Sequence, residues 1–260
     1  MRKAALMMIL LAAAIGVGAD AQDAKPWERQ GTKAGEEIVG PDGGKMIWVP
    51  AGGFDMGSED CAVLVHTVQI SKGFWLGKCT VTNAQYRQYC QASKTEFPTQ
   101  SDQGDDHPVI YVSWDDAKKY CHRFGLQLPT EAQWEYAARG PEGRKYPWGD
   151  NWDKSKCCND ANKGPKGQTF PVGSFPQGAS WCGALDMAGN VWQWCSDWYD
   201  GEYYARSPAG DPPGPDTGLD RVLRGGGWTC DADHCRSAFR YDFDPEHGYV
   251  TVGFRCAKIP

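Results

Sequence analysis

The 260-residue chain lacks the short signatures that announce the common enzyme classes. It has no G-x-x-x-x-G-K-[ST] and no G-x-G-x-x-G between a strand and a helix, so the usual phosphate-cradling loops are missing and nucleotide binding has no support. The run Gly225-Gly226-Gly227 does follow strand-like text, but the text after it reads as a further strand rather than a helix. There is no H-E-x-x-H, no EF-hand loop and no G-x-S-x-G, which excludes the zincin, calmodulin-type and α/β-hydrolase readings. The five histidines (66, 107, 122, 234, 247) are scattered and read as surface or packed residues rather than zinc ligands. There is no C-x-x-C, no internal repeat and no low-complexity tract. A basic excess is also missing: 33 acidic against 27 basic side chains give a formal charge of −6, leaving no electrostatic reason for a nucleic-acid partner. Long apolar runs are confined to the N-terminus, and a mean hydropathy of −0.57 excludes a membrane-embedded body.

Three residue types are abundant instead: 32 Gly, 12 Trp and 11 Cys. Many glycines and tryptophans with few apolar runs describe a loop-rich, tightly packed domain. The first 21 residues read as an address: Arg2 and Lys3, an apolar stretch from Ala4 to Ala19, and a small-x-small site at Ala19-Asp20-Ala21. This is the pattern of a cleaved secretory signal peptide, and the apolar stretch falls short of the ~20 residues a spanning helix needs. The expectation is a secreted or periplasmic protein with no transmembrane anchor after cleavage. No cysteine sits at the cleavage point, which argues against a lipoprotein. Residues 22–35 are polar and read as a flexible lead-in, with one domain over 36–260. Export would place all 11 cysteines in an oxidising compartment, where disulfides persist, and an odd number leaves at least one without an internal partner.

Residues 44–58 and 64–77 read as strands around Gly-containing turns. Three helix starts follow one scheme: Thr82 with Gln85, Ser113 with Asp116, and Thr130 with Gln133 each place a hydroxyl at the N-cap and a polar acceptor three residues on. Apolar spacing (Trp114, Ala117, Tyr120, Cys121; Ala132, Tyr136) gives the second and third helices one buried face each. From Gly140 to 183 turn residues dominate, and strand-like text returns at 191–195, 221–228 and 249–257. Trp192 and Trp194 read as core residues.

One cluster has chemical potential. Cys230 and Cys235 bracket Asp-Ala-Asp-His directly after the glycine run. Two thiolates on a short loop can converge on a soft ion, Cu(I) above all. They can equally be ordinary disulfide partners, to each other or elsewhere.

The strings WVPAGGFDMGS (48–58), VTNAQYRQYC (81–90), HPVIYVSWDDAKKYC (107–121), LQLPTEAQWEYAARG (126–140), YPWGD (146–150), PVGSFP (171–176), ALDMAGNVWQW (184–194), RVLRGGGW (221–228) and VGFRCA (252–257) occur in that order. Together they closely resemble the formylglycine-generating enzyme (sulfatase-modifying factor) family, over nearly the whole chain after residue 35. The resemblance implies that family's compact, irregular α+β fold, related to C-type lectins and low in regular secondary structure. It implies an oxidoreductase that uses O2 and Cu(I) to convert a cysteine in a C-x-P-x-R segment of an unfolded sulfatase to formylglycine. Cys230 and Cys235 match the copper and catalytic pair. Cys121 and Cys256 match a family disulfide, and a second family disulfide would fall on Ala138 and Arg240, where both cysteines are missing. A structural Ca2+ is implied at Asp186, the carbonyls of Gly189 and Val191, and the Gln193 side chain, where the usual last ligand is Glu. A second Ca2+ is implied near Asn159 and Asp160.

Two departures stand at the copper loop: the family's serine before it is Gly227, and the residue before the second copper cysteine, usually Tyr, is His234. The sequence therefore leaves two functions open. One is an exported copper-dependent oxidase acting on C-x-P-x-R segments, with His234 placed for proton transfer or solvated. The other is a non-catalytic lectin-like module that presents residues 228–249 to a protein or glycan ligand.

Overall fold

Each helix begins on the capping box that the sequence announces. A computed structural model describes residues 25–164 and 166–260, so the expected signal segment 1–21 lies outside the described residues. In chain order these residues form β1 (Glu37–Val39), β2 (Lys45–Val49), β3 (Gly52–Ser58), β4 (Val63–Ile70), β5 (Phe74–Gly77), α1 (Asn83–Ser93), α2 (Trp114–Arg123), α3 (Glu131–Arg139), β6 (Trp192–Trp198), β7 (Arg221–Arg224), β8 (Arg240–Phe243), β9 (Val252–Gly253) and β10 (Ala257–Lys258). At α1, α2 and α3 the hydroxyls of Thr82, Ser113 and Thr130 accept the backbone N–H three residues on. The side chains of Gln85, Asp116 and Gln133 accept the cap's own N–H in return. Each reciprocal pair satisfies donors that a helix start would otherwise leave orphaned.

The strands form two antiparallel units and one mixed sheet. The first is the order β1-β2-β5-β10, the second the hairpin β3-β4, and the third the order β8-β7-β6-β9, in which β9 runs parallel to β6. Two expectations are corrected here. The strand text at 221–228 stops at Arg224, because Gly225 and Gly226 take φ of 98° and 75°, outside any strand, and turns rather than a strand follow. β8 lies inside the stretch read as loop: Leu223 pairs with Tyr241 and Arg224 with Arg240, so a four-residue strand is held by its neighbour rather than by its own pattern.

The described part of the lead-in makes contacts of its own. Residues 25–35 lie against the first sheet: Trp27 packs on the core, the Trp75 indole N–H donates to Arg29 C=O at 2.9 Å, and Arg29 pairs with Glu36. Packing therefore begins before residue 36.

α2 buries one face as expected, through Trp114, Ala117, Tyr120 and Cys121. α3 does not: all nine of its residues are buried, wedged among β3, β6 and β7. Its charges must then be neutralised inside the protein. Arg240 grips the Glu131 carboxylate at two points (Nε–Oε1 2.6 Å, Nη2–Oε2 2.9 Å), and Arg224 approaches it at 3.4 Å. Glu135 accepts from Arg224, from Arg139 at 2.9 Å and from Gly57 N–H at 2.8 Å.

Asp197 on β6 sits at the edge of this network, its Oδ2 accepting the Glu131 N–H at 2.8 Å. Burial, reinforced by the Glu131 carboxylate, pushes its pKa up to about 8. An unfolded Asp titrates near about 3.9, so between those values the folded protein holds a proton that the unfolded chain has released. Stability contributed by this group therefore falls as pH rises through that window. Asp197→Asn keeps the acceptor but removes the titration. Its urea midpoint should gain steadily on the wild type from pH 5 to pH 8.5, whereas parallel profiles would show that Asp197 does not titrate there.

Candidate functional site

The glycine run carries the chain from β7 into the cysteine loop. Arg224, fully buried, reaches past the run to hold the far end of that loop, donating to Ser237 C=O at 2.8 Å and Ala238 C=O at 3.2 Å. Gly226 passes so close to Cys235 that a Cβ there would meet Cys235 Sγ at 3.1 Å, and its φ is positive. No other residue fits that passage without strain. The run is pinned from below by the 186–193 turn, through Gly189 N–H to Gly225 C=O at 2.7 Å and Trp228 N–H to Asn190 C=O at 2.9 Å.

Cys230 then sits on a turn closed by its own N–H to Gly227 C=O, while Asp160 N–H donates to the Cys230 carbonyl at 2.9 Å. Cys235 is wholly buried and Cys230 half-buried, and both border one apolar cluster with Ala188, Trp148 and Trp152. The cluster also holds Cys157, which the sequence did not single out. It lies in the same cluster as Cys235, and the interaction of the two neighbouring thiols holds Cys157 below and Cys235 well above the usual range. Nothing in a spacing of 78 residues announces this pair; it forms because Asn190 N–H anchors the Cys158 carbonyl at 2.8 Å under the same turn. Burial also raises the Cys230 thiol. Among the described residues no group of three or more His, Cys, Asp or Glu side chains is arranged to hold a metal. A metal here would rest on the two-sulfur set.

An aromatic shelf adjoins Cys230. Trp192 is buried, as read, and stacks on Tyr241 with ring centroids 5.2 Å apart; Phe243 stacks on Tyr249 at 4.1 Å. Tyr241 stays 40% exposed, so the shelf has a solvent-facing edge. His234 is partly exposed, its Nδ1 2.6 Å from Asp231 Oδ1. A Cβ at Gly227 would meet Trp192 Cδ1 at 3.4 Å and Thr251 Cβ at 3.5 Å, ordinary contacts that leave room for a small side chain.

The remaining site residues are also located. Cys121 and Cys256 are buried with their Sγ atoms 3.5 Å apart, so the fold brings together the pair matched to a disulfide. Asp186, Gly189, Val191 and Gln193 share one turn beneath the glycine run. Asn159 is buried and Asp160 exposed.

Residues 33–259 match the sulfatase-modifying factor enzyme 1-like domain. The chain belongs to that family. It is 46% identical over 170 residues to the formylglycine-generating enzyme of Streptomyces coelicolor, covering 59% of this chain and 53% of that protein. It is 37% identical over 165 residues to the inactive C-alpha-formylglycine-generating enzyme 2 of Mus musculus, covering 58% and 49%. The chain thus spans about half the length of these relatives. Among solved structures, PvdO of Pseudomonas aeruginosa superposes with a TM-score of 0.76 at 25% identity, covering 88% of this chain and all of that one. The mixed architecture of short helices and small sheets is the family's α+β fold.

Proposed function

We propose that this family member is an exported formylglycine-generating oxidase in which Cys230 and Cys235 hold Cu(I) and act on a cysteine in a C-x-P-x-R peptide segment. The observation that carries this reading is the pair itself: two sulfurs on one short loop, set by a tight glycine passage into an apolar cluster. The donor chemistry fits, since soft thiolates in an apolar surround suit Cu(I) over harder ions. Bound copper would supply the dioxygen and electron-transfer chemistry that no side chain provides.

The chain's own residues supply the rest. Half-buried Cys230 stands where an incoming thiol can reach it, while Cys235 is buried close to Gly226 in the same cluster as Cys157. Trp148, Trp152 and Ala188 keep the sulfurs away from bulk water. The Trp192–Tyr241 shelf gives an extended peptide an apolar surface beside the loop. The His234–Asp231 pair can exchange a proton with solvent at the loop's rim. The overall conversion balances as thiol plus O2, two electrons and two protons going to aldehyde, hydrogen sulfide and water, with an external thiol giving the two electrons.

The test is mass spectrometry of a C-x-P-x-R peptide incubated with the protein, Cu(I), a thiol reductant and air. Conversion of the peptide cysteine to an aldehyde supports the oxidase. If no aldehyde forms and the protein takes up no copper, the oxidase reading fails. A binding module on the same fold, presenting the loop at 228–249 to a protein or glycan, is the second reading, favoured by the missing hydroxyl at Gly227 and the exposed edge of Tyr241. Gly227→Ser separates them further. A Cβ at 227 makes only ordinary contacts, so the variant should stay folded and convert peptide faster than the wild type if the chain is an oxidase, and should change no rate if it is not.

A further inference from the structure

We infer that the two calcium sites implied by the family resemblance are replaced in this protein by side-chain amide N–H groups, so that the fold closes without calcium. Gln193 decides the first. It is wholly buried, and its Nε2 donates to Asp186 C=O at 2.7 Å, with Val191 C=O at 3.5 Å. Its Oε1 faces the other way and accepts from Trp134 Nε1 at 2.8 Å and Arg255 Nε at 2.6 Å. The amide's orientation is forced. An indole N–H and a guanidinium N–H can only donate, and two peptide carbonyls can only accept, so the reversed amide would set donor against donor and oxygen against oxygen.

An N–H group cannot ligate a cation. The atom of Gln193 that faces the loop carbonyls therefore does a cation's work by hydrogen bonding. Arg255, also wholly buried, completes the replacement: its Nη2 donates to Leu185 C=O at 2.8 Å and Asp186 C=O at 3.0 Å. A positive charge and two kinds of N–H donor already meet the Leu185 and Asp186 carbonyls, with Val191 C=O beside them, and the Asp186 carboxylate accepts the Gly173 N–H at 2.8 Å. A Glu at 193 would be different. One carboxylate oxygen could still accept from Trp134 and Arg255, but the other would press against the carbonyls and need a cation between them.

At the second implied site the Asn159 amide is likewise committed to the chain. Asn159 is buried, with Nδ2 donating to Lys154 C=O at 2.9 Å and Cys157 C=O at 3.0 Å, and Oδ1 accepting the Ala161 N–H at 3.0 Å. Asn162 Nδ2 donates to the same two carbonyls at 3.1 and 3.2 Å. Again the carbonyls face nitrogen, and the one amide oxygen of Asn159 is engaged by a backbone donor.

The experiment compares thermal unfolding and metal content of the intact protein after EDTA treatment and after millimolar Ca2+. The expected result is one unfolding temperature in both conditions and no calcium retained through gel filtration. Calcium retained by the wild type, with a lower unfolding temperature after chelation, would overturn the inference. Gln193→Glu supplies the converse. It should unfold at a lower temperature than the wild type in EDTA and recover several degrees in Ca2+, the shift expected of a ligand that binds only the folded state. A Gln193→Glu protein that folds and ignores calcium would also overturn the inference, because the amide would then not be what excludes the ion. Should Gln193→Glu fail to fold in either condition, the wild-type comparison still decides.

Discussion

Cys230→Ser should leave the protein folded and cut conversion of a C-x-P-x-R peptide by more than about a hundredfold. Changing residues that merely support metal ligands commonly costs about 10- to 100-fold, and losing one of only two sulfurs should exceed that. Serine matches cysteine in size but offers a hard oxygen in place of a soft thiolate, so Cu(I) uptake should fall with activity. Cys230 suits this experiment better than Cys235. It is half-buried at the edge of its cluster, so a hydroxyl there can reach water. Cys235 is wholly buried against Cys157 and Gly226, and a serine there would confound lost chemistry with a buried polar group. The readouts are peptide mass spectrometry and copper stoichiometry on the same preparation, with circular dichroism confirming the fold. An aldehyde yield equal to the wild type would remove Cys230 from the reaction.

Glu131→Ala should cost about 3–5 kcal/mol, the usual result of removing one partner from a buried ion pair. The substitution strands the Arg240 guanidinium, which loses both of its bonds to the carboxylate, and weakens the hold on Arg224. A loss of that size is a large part of a domain's typical stability of about 5–15 kcal/mol. It would appear as a lower urea midpoint with an unchanged slope. Asp197 should soften the loss. With Glu131 gone, the group that helps keep Asp197 protonated disappears, and Asp197 can ionise toward Arg240. Asp197→Asn should therefore change sign with background, stabilising the wild type at high pH and destabilising Glu131→Ala. Additive effects in the double-mutant cycle would show that the two carboxylates are uncoupled.

Local chemistry made some of this architecture legible in the sequence. The capping boxes at Thr82, Ser113 and Thr130 need only residues three apart, and α2's apolar spacing points to one face. The Cys230–Cys235 loop was visible because its two sulfurs are close in the chain. What stayed hidden depends on long-range contact. Glu131 and Glu135 look like the solvent face of an amphipathic helix, and only their partners Arg224 and Arg240, about 90–110 residues on, reveal them as core. β8 looks like loop because its stability comes from pairing with β7. Trp27 looks like part of a polar leader because one indole among charged residues gives no periodicity. Cys157 has no spacing that points to Cys235, and the two meet only once the 186–193 turn has drawn the two loops together. Gln193 reads as a slightly weaker calcium ligand. Its orientation depends on Trp134 and Arg255, each about 60 residues away.

The way the cysteine loop is moored has an evolutionary consequence. Its fixed points lie at the two ends: Gly226, Gly227 and Cys230 on one side, Cys235, Ser237 and Ala238 on the other. Between them, Asp231 and Asp233 are exposed and Ala232 and His234 partly so, and the side-chain bonds of Asp231 and His234 stay within this stretch. Two ties reach beyond the stretch, Asp233 to Arg236 and the His234 ring against Phe239 at 4.8 Å, so positions 231, 232 and 234 can drift at little cost to the frame. On the binding reading, a lineage could rewrite this rim while the sulfurs beneath keep their places, and a library randomised at 231, 232 and 234 would sample new surfaces on a scaffold that keeps the Asp233–Arg236 tie.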